Sequence, residues 1–124
     1  MKQSIPCLVL LTLVLGLASC APIRATSAIS KAKKAQFKAR LAKAHIINEG
    51  EKYITPAQYE YQLANFYLEK AKELQGFSKF EASEFYALEA VELSQSAIEH
   101  KQEEKRRKIR RRQIKAGKVF QKQR

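Results

Sequence analysis

Two helical patterns meet in residues 54–100, which read ITPAQYEYQLANFYLEKAKELQGFSKFEASEFYALEAVELSQSAIEH. The first pattern opens with Thr55, Pro56 and Gln58, which combine an N-cap residue, a proline at the first helical position and a capping-box glutamine. Alanine, leucine and aromatic residues then recur at helical spacing as far as Gly76, a residue type common at helix C-termini. The stretch predicts a helix that starts at Pro56 and ends near Gly76.

A second helical pattern follows directly, and Ser78 and Glu81 give it the spacing of another capping box. Two helices joined by a connector of about four residues are expected to fold back as an antiparallel hairpin. We expect its most buried side chains to include Leu63, Leu68, Tyr86, Val91 and Leu93. Aromatic residues at helical spacing are also expected in this core, with the lining of a ligand groove as the alternative: Tyr59, Tyr61, Phe66, Tyr67, Phe85 and Tyr86.

Residues 20–50 form a basic, alanine-rich arm with a helical period of its own. Spacings of four and three place one narrow stripe of mostly small residues along a helix: Ala28, Ala32, Ala35, Ala39, Ala42 and Ile46. Thr26 or Ser27 can cap its start, and Asn48 and Gly50 are stop signals near its end. The stripe has two interpretations: a partner helix packs closely against it, or the helix is poorly packed and partly frayed. The sequence does not distinguish between them.

The composition of the 124 residues argues against an enzyme. All twelve acidic residues are glutamate, and there are only two histidines and two cysteines, so most of the usual catalytic and metal-binding side chains are scarce. His45 and His100 are far apart in the sequence, without further ligands nearby. We expect no catalytic, cofactor-binding or metal-binding residues, and we predict an all-α fold because glycine and proline are rare.

The distribution of charge divides the chain into three zones. Residues 45–100 have a net charge of −6 and lie between two basic arms. Residues 101–124 carry twelve bases and two glutamates, and this basic tail follows the hairpin domain of residues 51–100. We expect the last helix to run on as a charged rod from Gln102 to Lys115, with disorder beyond Gly117. Its densest part is a candidate contact for anionic surfaces or acidic partners: Lys105, Arg106, Arg107, Lys108, Arg110, Arg111 and Arg112. A solvated charge run without a partner is the competing interpretation.

Residues 1–19 have the proportions of a secretory signal peptide. Lys2 gives a basic start, the stretch from Ile5 to Leu17 is almost wholly apolar, and small residues precede Cys20. This apolar segment is shorter than the roughly 20 residues that cross a bilayer. An exported chain has little access to nucleic acid, which makes a nucleic-acid-binding role for the basic tail the weakest interpretation.

Leu17-Ala18-Ser19-Cys20 resembles the lipobox of bacterial lipoproteins, in which the cysteine receives a diacylglycerol before cleavage. The resemblance implies a lipid anchor on Cys20. In the Gram-negative sorting scheme an aspartate after the cysteine retains a lipoprotein at the inner membrane, and Ala21 occupies that position here. The resemblance therefore implies an outer-membrane location facing the periplasm, with the inner membrane as the alternative.

The hairpin is similar to an uncharacterised family of bacterial lipoproteins whose domain is described as tetratricopeptide-like. The resemblance rests on these positions: Pro56, Tyr59, Tyr61, Ala64, Tyr67, Leu68, Ala71, Gly76, Phe77, Ala82, Tyr86, Ala90 and Ala97. It implies architecture and location but no activity. We expect a lipid-anchored envelope module with a structural or interaction role. The alternative is an accessory or regulatory subunit of a larger envelope enzyme or secretion complex.

Overall fold

The computed structural model describes residues 20–46 and 53–122, with side chains described as far as Ala116. The predicted signal peptide and the stop signals Asn48 and Gly50 lie outside these residues. The regular structure in the described part is helical throughout: α1 spans Cys20–Leu41, α2 spans Pro56–Gly76 and α3 spans Phe80–Lys122. The chain is all-α, and α2 and α3 form the predicted hairpin.

The start of α2 confirms the first capping box. The Thr55 hydroxyl accepts a hydrogen bond from the Gln58 backbone N–H at 3.4 Å, and the Thr55 N–H donates to Gln58 Oε1 at 2.9 Å. Pro56 opens the helix, where the missing N–H costs nothing because the first helical N–H groups have no intrahelical acceptor.

The α2–α3 turn differs from the prediction, because Ser78 does not cap α3. Ser78 adopts a left-handed backbone with φ of 56°, and its N–H donates to the Gln75 carbonyl at 3.0 Å. The Lys79 N–H donates to the Leu74 carbonyl at 2.9 Å, which completes a Schellman motif. Gly76 is the last helical residue, so the left-handed position that favours glycine falls two residues later, on a serine.

Helix α1 starts earlier and ends earlier than predicted. It begins at Cys20, so Thr26 and Ser27 lie inside the helix, and the Thr26 hydroxyl donates back to the Pro22 carbonyl at 2.8 Å. It ends at Leu41 through a second Schellman motif, in which the Ala44 N–H reaches the Ala39 carbonyl at 3.1 Å. Lys43 takes the left-handed position of this motif with φ of 64°.

The three helices run up, down and up in one bundle. Near the start of α1, Arg24 contacts Glu84 at the start of α3, and further along α1 Gln36 contacts Asn65 in α2. Helix α1 is therefore parallel to α3 and antiparallel to α2, and it packs more extensively on α3 than on α2. Of the two interpretations of the alanine stripe, the structure supports the partner helix, since α1 belongs to the bundle.

Small side chains line the contacts among the helices. The buried apolar residues are mostly alanines: Ala25, Ala28, Ala32, Ala39, Ala44, Ala57, Ala64, Ala71, Ala87, Ala90 and Ala97, joined by Ile29 and Leu68. Ser83 and Ser94 are fully buried as well, and their hydroxyls donate to the Ala71 and Ala90 carbonyls at 2.7 Å. Small contact residues let helix axes approach closely, which is how a bundle this thin excludes water.

The prediction that the hairpin aromatics form the core is wrong for half of them. Tyr59, Phe66 and Phe85 are each about 60% exposed, whereas Tyr61, Tyr67 and Tyr86 are partly buried. Of the five residues expected to be most buried, Leu68 is buried, and Leu63, Tyr86, Val91 and Leu93 are partly buried. Each exposed ring lies two residues from a buried position of the same helix, so the helical rotation of about 200° places it on the face turned away from the interface.

Helix α3 continues well past the bundle. Its 43 residues correspond to about 64 Å, and the part after His100 extends roughly 30 Å beyond the residues that contact α1 and α2. The expected disorder beyond Gly117 is not observed, since the helical backbone continues to Lys122. Flanking residues of high helix propensity carry the helix through this glycine.

The two left-handed cap residues predict stabilising substitutions. A non-glycine residue in this conformation carries a strain of about 1–2 kcal/mol, which glycine avoids. Glycine loses more chain entropy on folding, and this loss offsets part of the gain. Lys43→Gly and Ser78→Gly should each raise the free energy of unfolding by about 0.5–1 kcal/mol, measured by urea denaturation. Lys38→Gly is the matched control: it lies inside α1 and should lower stability by about 1 kcal/mol. Equal effects of the three glycines would contradict the cap assignment.

The core predicts a loss of stability for changes of side-chain size in either direction. Leu68→Ala should destabilise the bundle by about 2–4 kcal/mol through a cavity, and Ala32→Leu by about 1–3 kcal/mol through overpacking between α1 and α3. Phe37→Ala, at a site that is 60% exposed on α1, is the control and should change the thermal midpoint little. A thermal midpoint of Ala32→Leu equal to that of the parent protein would contradict the packing of α1 against α3.

Candidate functional site

One end of the bundle brings together Cys20 and the α2–α3 turn. Cys20 is the first residue of α1 and is exposed. Its neighbour Ala21 lines a shallow pocket together with residues 78–82. The Arg24 guanidinium lies 2.8 Å from the Glu84 carboxylate, and this hydrogen-bonded ion pair raises the pKa of Arg24. The predicted lipid-attachment residue is thus fixed at the end of the bundle where α3 begins.

The basic tail leaves from the opposite end. The seven predicted contact residues are all exposed on α3: Lys105, Arg106, Arg107, Lys108, Arg110, Arg111 and Arg112. Successive residues of a helix are rotated by about 100°, so these charges surround the helix instead of forming one stripe. Arg107 Nε pairs with Glu103 at 3.1 Å, four residues earlier. We call residues 101–116 the basic rod.

The root of the basic rod holds a charge cluster that sequence reasoning missed. The Lys101 side chain is only 6% exposed, and its Nζ lies 3.2 Å from Glu104 Oε2 and 3.4 Å from the Ile46 carbonyl oxygen. The Glu104 carboxylate oxygens make no hydrogen bond to the described residues, so the contact with Lys101 is an ion pair without hydrogen-bond geometry. Lys43, Lys105 and Lys108 join these residues around a cavity of about 220 Å³.

A signal for Lys101 was present in the sequence. Ser83, Ala87, Ala90, Ser94 and Ala97 are spaced by four and three residues and form the buried stripe of α3, and Lys101 is the next position. Its burial follows from that spacing, because position 101 continues the buried face of α3 to the level where the segment after α1 contacts it through the Ile46 carbonyl. Four ammonium groups around one carboxylate leave the cavity positive, so it suits a small anion better than a cation.

The two histidines have structural partners. His100 lies 3.3 Å from Glu60, and the His45 ring contacts the Tyr61 ring with centroids 5.7 Å apart. Both histidines are exposed. Within residues 20–46 and 53–122 there is no group of three or more side chains suited to hold a metal ion.

A helix that crosses a bilayer must be both long and apolar. Among the helices of the part of the chain that the structure describes, none meets both requirements.

Comparison of the chain with protein-family models, curated proteins and solved structures finds no match in any of the three. A functional proposal for this molecule therefore rests on its own sequence and geometry.

Proposed function

We propose that this chain is a lipid-anchored protein of the bacterial cell envelope, held at the outer membrane and facing the periplasm. In this proposal the bundle is a small structural and interaction module. The observation that carries it is the placement of Cys20, the lipobox cysteine, at the end of the bundle opposite the basic rod. The two ends of the molecule therefore differ: one end carries the attachment point, and the other carries the concentrated positive charge.

The dimensions define what the basic rod contacts. Screening limits the attraction between exposed charges to about 8 Å at physiological ionic strength, whereas α3 extends about 64 Å from the anchored end. An upright molecule therefore presents its rod beyond the field of the membrane that anchors it. Its contacts are then a second anionic surface, such as lipopolysaccharide or phospholipid headgroups, or an acidic protein.

A second candidate function is an accessory or regulatory subunit of a larger envelope complex, and one observation favours it. Four rings form a continuous ladder across the hairpin, with centroid distances of 5.9 Å from Phe66 to Tyr67, 5.5 Å from Tyr67 to Tyr86 and 5.5 Å from Tyr86 to Phe85. The outer two rings are largely exposed. Exposed aromatic residues are enriched at protein interfaces, so the ladder is suited to a protein partner.

The anchor is tested by Cys20→Ala. Lipid chains contribute about 0.8 kcal/mol per buried CH₂, and two or more chains make membrane residence effectively permanent. We expect the variant to remain an unprocessed, heavier precursor, detected by gel mobility and metabolic labelling with a fatty acid. Ser19→Ala keeps a small residue before the cysteine and is the control that should be processed. Labelling of the Cys20→Ala variant would contradict the proposal.

The basic rod is tested by vesicle binding of residues 21–124, which leave out the anchor. We expect binding to phosphatidylglycerol-containing vesicles, weak binding to phosphatidylcholine vesicles and a steep loss with salt. Replacing Arg110, Arg111 and Arg112 by Gln should weaken binding roughly a hundredfold at low salt, at about 1 kcal/mol per charge. Replacing the same three residues by Lys keeps the charge and should preserve binding. Unchanged binding of the Gln variant would contradict the proposed contact and would indicate that the rod is a solvated run of charges without a partner.

A further inference from the structure

The buried face of α3 continues into a set of charged side chains at the root of the basic rod. After Ala97 the next positions on this face are spaced by three, one and three residues, and all of them are charged: Lys101, Glu104, Lys105 and Lys108. Side chains at this spacing lie together on one side of a helix. The segment after α1 faces them with Lys43 and the Ile46 carbonyl, and the two segments together line the cavity of about 220 Å³.

Two buried groups distinguish this cavity from a run of surface lysines. The Lys101 side chain is 6% exposed, and both carboxylate oxygens of Glu104 are shielded from solvent. The Ile46 carbonyl is the one hydrogen-bond acceptor that the described residues offer to Lys101, although an ammonium group has three N–H donors. The Glu104 oxygens accept no hydrogen bond from the described residues. Because buried polar groups are nearly always hydrogen-bonded, these two groups indicate a ligand that pairs with both.

The charges around the cavity define the kind of ligand that fits. Lys43, Lys105 and Lys108 make no ion pair within the described residues, so four ammonium groups face the single carboxylate of Glu104. These three lysines are exposed, and their flexible stems let a ligand reach the buried groups. Water would supply a donor to Glu104 but would leave the excess positive charge. A fitting ligand therefore brings negative charge for the lysines and a proton donor for the carboxylate, which only accepts hydrogen bonds.

We propose that this cavity binds hydrogen phosphate. Inorganic phosphate keeps at least one proton at neutral pH, so its P–OH group donates to Glu104 while its charged oxygens accept from Lys101 and the exposed lysines. Sulfate has the same shape but no proton, so it would set an acceptor against the buried acceptor of Glu104. Bicarbonate carries a proton but less negative charge, which leaves more of the ammonium groups without a counter-charge.

The protonation of the ligand favours free phosphate over a phosphate ester. A phosphate monoester loses its last proton near about pH 6, so at neutral pH it has no P–OH group for Glu104. The volume is sufficient, since a water molecule takes up about 30 Å³ of the liquid and the cavity of about 220 Å³ admits a phosphate ion with bound water.

Bound phosphate would join the segment after α1 to the root of the basic rod, because Lys43 and Lys101 would contact the same ion. A ligand that binds only the folded chain also stabilises it. The site goes beyond the proposed function, and it requires neither the lipid nor the charges of Arg110, Arg111 and Arg112.

The test is isothermal titration calorimetry of the purified full chain in a nonionic detergent, at about pH 7.5 and constant ionic strength, with inorganic phosphate, sulfate or methyl phosphate. We expect phosphate to bind at one site per chain. Sulfate and methyl phosphate should each bind roughly tenfold to a hundredfold more weakly, which is the loss expected when a buried acceptor lacks its donor. Absence of phosphate binding, or sulfate binding as tight as that of phosphate, would overturn the proposal. Equal binding of methyl phosphate would overturn it as well and would point to an ester headgroup.

Glu104→Gln tests the role of the carboxylate separately from its contribution to the fold. The glutamine amide both donates and accepts hydrogen bonds, so it should accommodate sulfate. We expect the ratio of phosphate to sulfate affinity to fall to near one, with the helical content measured by circular dichroism unchanged. A preference for phosphate that survives in this variant would contradict the assigned hydrogen bond.

The lysines are tested by a matched pair on α3. Lys108→Gln removes one positive charge from the cavity and should weaken phosphate binding roughly fivefold. Lys115→Gln removes the same charge from an exposed position further along the rod and should bind phosphate like the parent. An equal loss in the two variants would show that phosphate binds to the rod as a whole, which would overturn the proposed site.

Discussion

Alanine lines the contacts among the three helices and lets them approach one another closely, and the other features of the molecule result from this packing. Ala32, Ala71, Ala87 and Ala90 are fully buried where the helices meet, and Leu68 is the one large side chain among the fully buried apolar residues of the described part. Each alanine buries little apolar surface by itself. The stability of such a bundle therefore comes from many small van der Waals contacts distributed along the helices.

The helical repeat also determines the surface of the molecule. Tyr59, Phe66 and Phe85 lie on the faces of α2 and α3 that point away from the buried alanines, and they remain exposed. Hydroxyl groups do fit, and Ser83 and Ser94 are buried with their hydrogen bonds made to backbone carbonyls. The alanine core and the exposed rings therefore lie on opposite faces of the same helices, and the exposed rings underlie the second candidate function, as a subunit of a larger complex.

The up-down-up topology makes the two ends of the molecule different. Since α1 and α3 are parallel, Cys20 lies near the start of α3, and the basic rod emerges from the far end. Lys101 and Glu104 mark the boundary, where the buried stripe of α3 passes from alanine and serine to charged residues and the helix leaves its partners. The separation of Cys20 from the concentrated charge underlies the proposed role in the envelope.

The helices and the charge zones were predictable from local sequence. The Thr55 capping box, the hairpin and the alanine stripe were all predicted from local spacing, because caps and helical periodicity are properties of neighbouring residues. The packing of the helices, in contrast, settles which residues are buried and how α1 is placed and capped. Ser78 and Lys43 adopt left-handed conformations that their side chains do not favour, since the bundle requires sharp turns at those points. The spacing of the buried stripe on α3 indicates that Lys101 faces inward, but only the fold shows what covers it, since its partner Ile46 lies 55 residues earlier in the chain.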